Sequence, residues 1–325
     1  MIVSDAQQVS APPPPLPKPA RKRSQPSSPT AVILLYLICV FVGAALIAPR
    51  FHASAQFLET ISYRFSFLAD AAFHRYVSRC LILLAILGLP WLFRGLGLNS
   101  ASVLGLKWSG RHCAEGFHGF TWSIVPVAVL GALLFAFEIR VSDLDGVPGR
   151  WTRHLRNATL SAVTVGILEE LLFRGALFGS LRQRQSFTRA ALCSSSLYAL
   201  LHFLERPAFS GHVEWNSGFV VLAQMLRGFT HFEVMIPAFL NLMLVGSILA
   251  LLFERTGSLL YSIGLHAGLV FWMKTLNFMT DPAKKEANSF WGTEKVTDGW
   301  VTTIILVATF FLIERTLAKP KPATE

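Results

Sequence analysis

Residues 158 to 181 read ATLSAVTVGILEELLFRGALFGSL, an apolar run interrupted near its middle by two adjacent acids, Glu169 and Glu170, and one base, Arg174. A hydrocarbon core of about 30 Å needs about 20 mostly apolar residues per helix, and this run has that length. Each of its charges costs about 2.5 to 3.5 kcal/mol at a helix centre on insertion scales, so charges kept there must be paired or used. At helical periodicity Glu170 and Arg174 share a face, in the favourable order with the acid N-terminal, and are expected to pair. Glu169 then points elsewhere and is free to face another helix. A carboxylate buried in that way suits general base work. Taken alone, the three charges fit a structural charge network, a proton relay of a transporter and a catalytic site equally well.

The rest of the chain places this run in a membrane. Hydrophobic residues make up 53% of the 325 residues and charged residues 15%, and mean hydropathy is +0.49, too apolar for a soluble chain of that length. About eight stretches have spanning length, at 30–49, 78–94, 119–138, 158–181, 187–204, 232–253, 257–278 and 299–315. The expected fold is an all-α polytopic membrane protein, about eight helices around a polar intramembrane cavity. The apolar piece at 217–227 is too short to cross. The Phe-rich stretch 57–73 carries Glu59, Arg64 and Asp70, and it is expected to lie at the interface or re-enter.

Residues 1–30 hold Pro12 to Pro15, Pro17 and Pro19 beside Lys18, Arg21, Lys22 and Arg23, a composition that cannot bury a core and reads as a disordered basic tail. The transmembrane domain is expected over 31–318, with a short tail at 319–325. Positive charge on the N-terminal tail and an even helix count put both termini in the cytoplasm, with Arg182, Arg184 and Arg189 on the same side. Arg150, Arg153 and Arg156 fall on the other side and run against that orientation. The expected location is a multi-pass protein of the cell (inner) membrane.

The net charge of +10 is read as topology and contact with anionic lipids, because no basic cluster is interleaved with exposed aromatics as nucleic-acid binding needs. Cys39, Cys80, Cys113 and Cys193 lack CxxC spacing. There is no internal repeat, no Walker-type loop, no HExxH and no GxSxG.

Two further apolar runs carry polar stripes. In FTRAALCSSSLYALLHFL (187–204) Ser194, Tyr198 and His202 recur at steps of four, and the small residues 193–196 allow close helix approach. In GSLLYSIGLHAGLVFWMKTLNF (257–278) Ser258, Ser262 and His266 do the same, while Gly264 and Gly268 form a GxxxG face for packing alone. Glu169, His202 and His266 are thus three ionisable groups on three helices. A carboxylate and an imidazole can hold and deprotonate a water, and a second imidazole can steady an oxyanion. Two His and one Glu are also the protein ligands of a catalytic zinc site. These two mechanisms stay open at this level.

The motif Glu169-Glu170-Leu-Leu-Phe-Arg174 resembles the EExxxR motif of the CAAX protease and bacteriocin-processing family (CPBP, also called the Abi family). Tyr198 to His202 is similar to its FxxxH motif with Tyr for Phe, and Arg255 to His266 is similar to its third motif and the approach to it; the likeness covers about 158–272. It implies an eight-helix intramembrane endopeptidase acting on a peptide or lipidated protein substrate among membrane lipids. By the resemblance Glu169 and His202 activate the water, Glu170 and Arg174 support them, and His266 lines the oxyanion hole. No cofactor is expected to be required; Zn2+ held by Glu169, His202 and His266 is the alternative.

The family's third motif runs HxxxN or HxxxD, whereas Val270 follows His266 here and donates nothing. Asn241, in the preceding helix, is the expected substitute donor, and the Tyr198 hydroxyl is expected to bond His202 or a water. Two other functions remain in view: a weak or inactive relative serving as a membrane scaffold or bacteriocin-immunity partner, and a proton-coupled transporter.

Overall fold

The computed structural model describes residues 28–317 apart from 99, 102–103, 107–108, 145–147, 206, 231, 284–288 and 294. The expected N-terminal tail, save its last three residues, and the expected C-terminal tail lie outside the described residues. The chain is an all-α membrane protein, with helices α1 (Pro29–Ile61), α2 (Phe73–Gly95), α3 (Gly110–Trp122) and α4 (Ile124–Ala136). Helix α5 begins as Arg150–Glu170, continues as a π-helical stretch over Leu171–Phe178 and ends as Gly179–Arg182. Then come α6 (Phe187–His202), α7 (Ser217–Met225), α8 (Phe232–Thr256), α9 (Leu259–Met279) and α10 (Trp300–Thr316). Among the described residues the one sheet has two short strands, β1 (Arg140–Ser142) antiparallel to β2 (Thr280–Pro282).

Five helical segments are long and apolar enough to cross a membrane: Pro29–Ile61, Phe73–Gly95, His112–Ala136, Met235–Thr256 and Leu259–Met279. The remaining expected spans form α5, α6 and α10 in the same bundle. At 1.5 Å per residue the 16 residues of α6 and 17 of α10 reach about 24 to 26 Å, short of a hydrocarbon core of about 30 Å. Helix α5 has the length but carries the charges quoted above. Helix α1 runs through Pro49 to Ile61 and takes in the first part of the stretch expected at the interface. The short apolar piece near 217 is α7, which packs on α1: a Cβ on Gly218 would stand 2.1 Å from Ala45 O.

Helix α9 is the centre of the bundle, with α3, α5 and α8 packed on it. Its GxxxG face meets α3: a Cβ on Gly264 would sit 1.9 Å from Gly116 O, and one on Gly268 would sit 1.9 Å from Ser123 Oγ. No side chain larger than hydrogen fits there, so the two backbones touch, as the spacing led one to expect. Helix α5 runs antiparallel to α9, with Gly166 against Ala267 and, one turn on, Glu170 against His266. Helices α6 and α8 close through small residues, Gly246 opposite Ser195. At one end of the bundle Arg182 pairs with Glu254, Val32 at the start of α1 lies against Gly95, the Leu259 amide donates to Gly105 O, and Leu317 lines one cavity with Leu252. Both described chain ends therefore share that end. At the other end the β1 and β2 pair ties the approach to α5 to the exit from α9.

Candidate active site

The site is built where α5 changes geometry. A π-helical turn is wider than an α-helical one and is frequent at functional sites; here it begins at Leu171, directly after the two acids. Glu170 is fully buried and Arg174 is 2% exposed, and Arg174 Nη1 lies 2.9 Å from Glu170 Oε1. The guanidinium is roofed by the Tyr198 ring at 4.8 Å and reaches toward the Gly246 carbonyl on α8. The expected pair is thus formed, and aromatic stacking and a backbone acceptor share in neutralising it.

Glu170 Oε1 also lies 2.9 Å from His266 Nδ1. A carboxylate accepts, so Nδ1 of His266 carries the proton and its Nε2 faces away. His202 is oriented in the same manner: its Nδ1 donates to the Tyr198 carbonyl at 2.8 Å, one turn back in α6. The two free Nε2 atoms converge on Glu169, since Glu169 Oε2 lies 3.7 Å from Nε2 of His202 and 3.7 Å from Nε2 of His266. That oxygen is buried and has no hydrogen-bond partner among the described residues. The gap of 3.7 Å is too long for a hydrogen bond and suits a water held between the three atoms. The acid at 169 and the imidazoles at 202 and 266 are therefore brought together from three helices.

A cavity of about 220 Å³ adjoins them, lined by Tyr198, His202, Asn241, His266 and Val270 together with apolar residues of α4, α9 and α10. The imidazoles form part of its wall, while Glu169 is set outside the lining. One expectation is corrected here. Asn241 does reach the cavity, but its two amide hydrogens go to Thr297 O at 2.9 Å and Gly299 O at 3.0 Å, so no donor is left for an oxyanion. Tyr198 meets His202 through its backbone carbonyl, which accepts from Nδ1. Val270 lines the cavity beside His266 as the helical stripe requires.

The donor set of Glu169, His202 and His266 has the chemistry of a zinc site, yet among the described residues no three His, Cys, Asp or Glu side chains are arranged to hold a metal. Ligand atoms of one tetrahedral zinc stand about 3.3 Å apart, given bonds of about 2.0 to 2.1 Å. The 3.7 Å spacings are wider.

Sequence reasoning did not find the π-helical stretch, the Gly246 carbonyl or the cavity-lining Thr297 and Thr302. The first follows from backbone geometry and the others from loops and helices distant in the chain; only the excess of small residues around 246 carried a signal, for packing.

Residues 151–272 match the family model described as Rce1-like, type II CAAX prenyl endopeptidase Rce1-like. No curated protein and no solved structure matches the chain. The matched segment contains Glu169, Glu170, Arg174, Tyr198, His202, Asn241 and His266. Through residues 151–272, set in a bundle of membrane helices, the chain is similar to the CAAX prenyl endopeptidase family.

Proposed function

We propose that the protein hydrolyses a peptide bond in a membrane-associated or lipidated polypeptide, within the bilayer, by means of a water activated between Glu169, His202 and His266. The observation that carries this reading is the buried, unpartnered Glu169 Oε2 lying at one distance from two imidazole Nε2 atoms. A water there is within reach of an acceptor carboxylate. Glu169 takes its proton as the oxygen attacks a carbonyl carbon presented at the imidazole wall of the cavity, and the same proton passes to the leaving amine nitrogen as the C–N bond breaks. The proton balance closes on Glu169.

His266 is suited to the developing oxyanion. Glu170 holds its Nδ1, so its Nε2 is the ring atom turned to the site, where an N–H would be a donor for the oxyanion. Glu170 and Arg174 hold His266 and do not meet the substrate. Orientation follows the positive-inside rule: the bundle end carrying Arg182, Arg184 and both described chain ends faces the cytoplasm, in the cell (inner) membrane.

The test is replacement of Glu169, His202 and His266 singly by Ala in the full chain. Each variant is expected to lose about 10²- to 10⁴-fold in rate at normal protein level. Substrates are read as peptide termini of membrane proteins that vanish in the Glu169→Ala strain. Unchanged processing by all three variants overturns the reading.

A second reading, a slow enzyme or non-catalytic scaffold, draws on one specific feature: Val270 supplies no donor and Asn241 has both hydrogens committed.

A further inference from the structure

Asn241 is 2% exposed, and its two amide hydrogens are spent on Thr297 O and Gly299 O in the turn that leads into α10. Its Oδ1 has no partner. Exchanging the oxygen and nitrogen would set Oδ1 against two carbonyl oxygens, so the orientation is fixed by its partners. The turn is closed a second time by Asp298, 5% exposed, which accepts from the Thr293 amide and hydroxyl, and a third time by Thr302 Oγ donating to Val296 O.

The clamped turn is strained. Val296 has φ 63° and is 1% exposed; a β-branched residue in the left-handed region is strained and stays there only where its surroundings over-determine it. The same turn shapes the site: Thr297, which is exposed, Thr302 and Asn241 line the cavity that His202 and His266 line.

We propose that Asn241 is a positioning residue that pins the strained Val296–Gly299 turn as the rim of the catalytic cavity, and so sets how bulky a substrate segment lies beside His202 and His266. This rests on the hydrolytic reading above for its consequence, though not for its geometry. When Asn241 loses its hydrogens, as in Asn241→Asp, two carbonyls face a carboxylate, Val296 relaxes toward an extended backbone, and the rim opens.

The test has two arms on the full chain. In the first, Ile305→Cys, at a cavity-lining position outside the turn, is placed in a background with Cys39, Cys80, Cys113 and Cys193 replaced by Ala, and its alkylation by a membrane-permeant maleimide is timed. Asn241→Asp is expected to speed alkylation about tenfold, Asp298→Ala to do the same by freeing the turn from its other side, and the double variant to add little to either. Equal rates with and without Asn241 overturn the pin. In the second arm, peptides with a compact or a bulky side chain beside the scissile bond are compared, and Asn241→Asp is expected to raise kcat/KM for the bulky one relative to the compact one about tenfold, mainly through KM. An equal fall in kcat for both peptides overturns the positioning role. If the protein is not a hydrolase the second arm is silent with Asn241 intact, while the alkylation arm still reads the pin; the two failures are therefore distinct.

Discussion

A single oxygen, Glu170 Oε1, stands 2.9 Å from His266 Nδ1 and so joins residues 96 positions apart on α5 and α9. The same oxygen lies 2.9 Å from Arg174 Nη1. An imidazole that helps an oxyanion must hold its outer nitrogen at a fixed place, and the carboxylate behind it does so in the manner of the carboxylate–imidazole pairs that orient metal-bound and catalytic histidines. The acid that orients His266 and the acid proposed to activate the water are neighbours in sequence that face different partners, because adjacent positions on a helix point about 100° apart.

That arrangement makes Arg174 a stability residue as well. Removing one partner of a buried pair leaves an uncompensated charge, at a cost of about 3 to 5 kcal/mol. Arg174→Ala is expected to lower stability by about that amount, and Arg174→Lys to recover only part, since Lys cannot lie flat beneath the Tyr198 ring while reaching two acceptors. Thermal unfolding of the purified protein in detergent measures both. Equal stability of all three forms contradicts the pairing described.

Val270 faces the cavity from the turn after His266, and Val and Asn have similar size. Val270→Asn is expected to add an oxyanion donor and raise kcat, up to about 10²-fold, the scale of one such donor, with KM little changed. Steady-state rates of the two forms on one substrate decide the matter. A gain marks the natural protein as a slow enzyme, whereas activity in neither form favours the scaffold reading.

Much of this site was legible in the sequence for one physical reason: charge in an apolar helix is costly, so Glu169, Glu170 and Arg174 stood out, and helical periodicity sorted them into a pair and a free acid. His202, His266 and Val270 were reached by the same periodicity. What periodicity cannot encode is where a side chain's hydrogens go. Asn241 reached the cavity as expected but gave its donors to Thr297 and Gly299, in a turn nearly sixty residues away. The span count suffered likewise, because α6 and α10 are short and only their packing in the bundle gives them a place.

The close contact of α3 and α9 has a direct consequence. With only 1.9 Å between a Cβ on Gly264 and Gly116 O, Gly264→Leu must force the helices apart, and overpacking of this kind costs about 1 to 3 kcal/mol. His266 lies two residues further along α9 and moves with it, so activity is expected to fall alongside stability. Gly110→Leu, with open space around its Cβ position, is expected to change neither. The comparison is read by thermal unfolding and by rate on one substrate.

Metal removal gives the sharpest test of the chemistry at Glu169. Three ligands of one zinc ion stand about 3.3 Å apart, whereas the Glu169 oxygen is 3.7 Å from each imidazole, a spacing that a bridging water would fit. Dialysis against a strong chelator, with the metal content of the protein measured before and after, is therefore expected to leave the rate unchanged. Loss of activity on chelation and recovery on adding zinc would show that the three side chains close by some tenths of an ångström around an ion, and the general-base role given to Glu169 would pass to a metal-bound hydroxide. Retention of full activity in protein free of metal keeps the proton on Glu169, where the buried and unpartnered oxygen already has room for the water that delivers it.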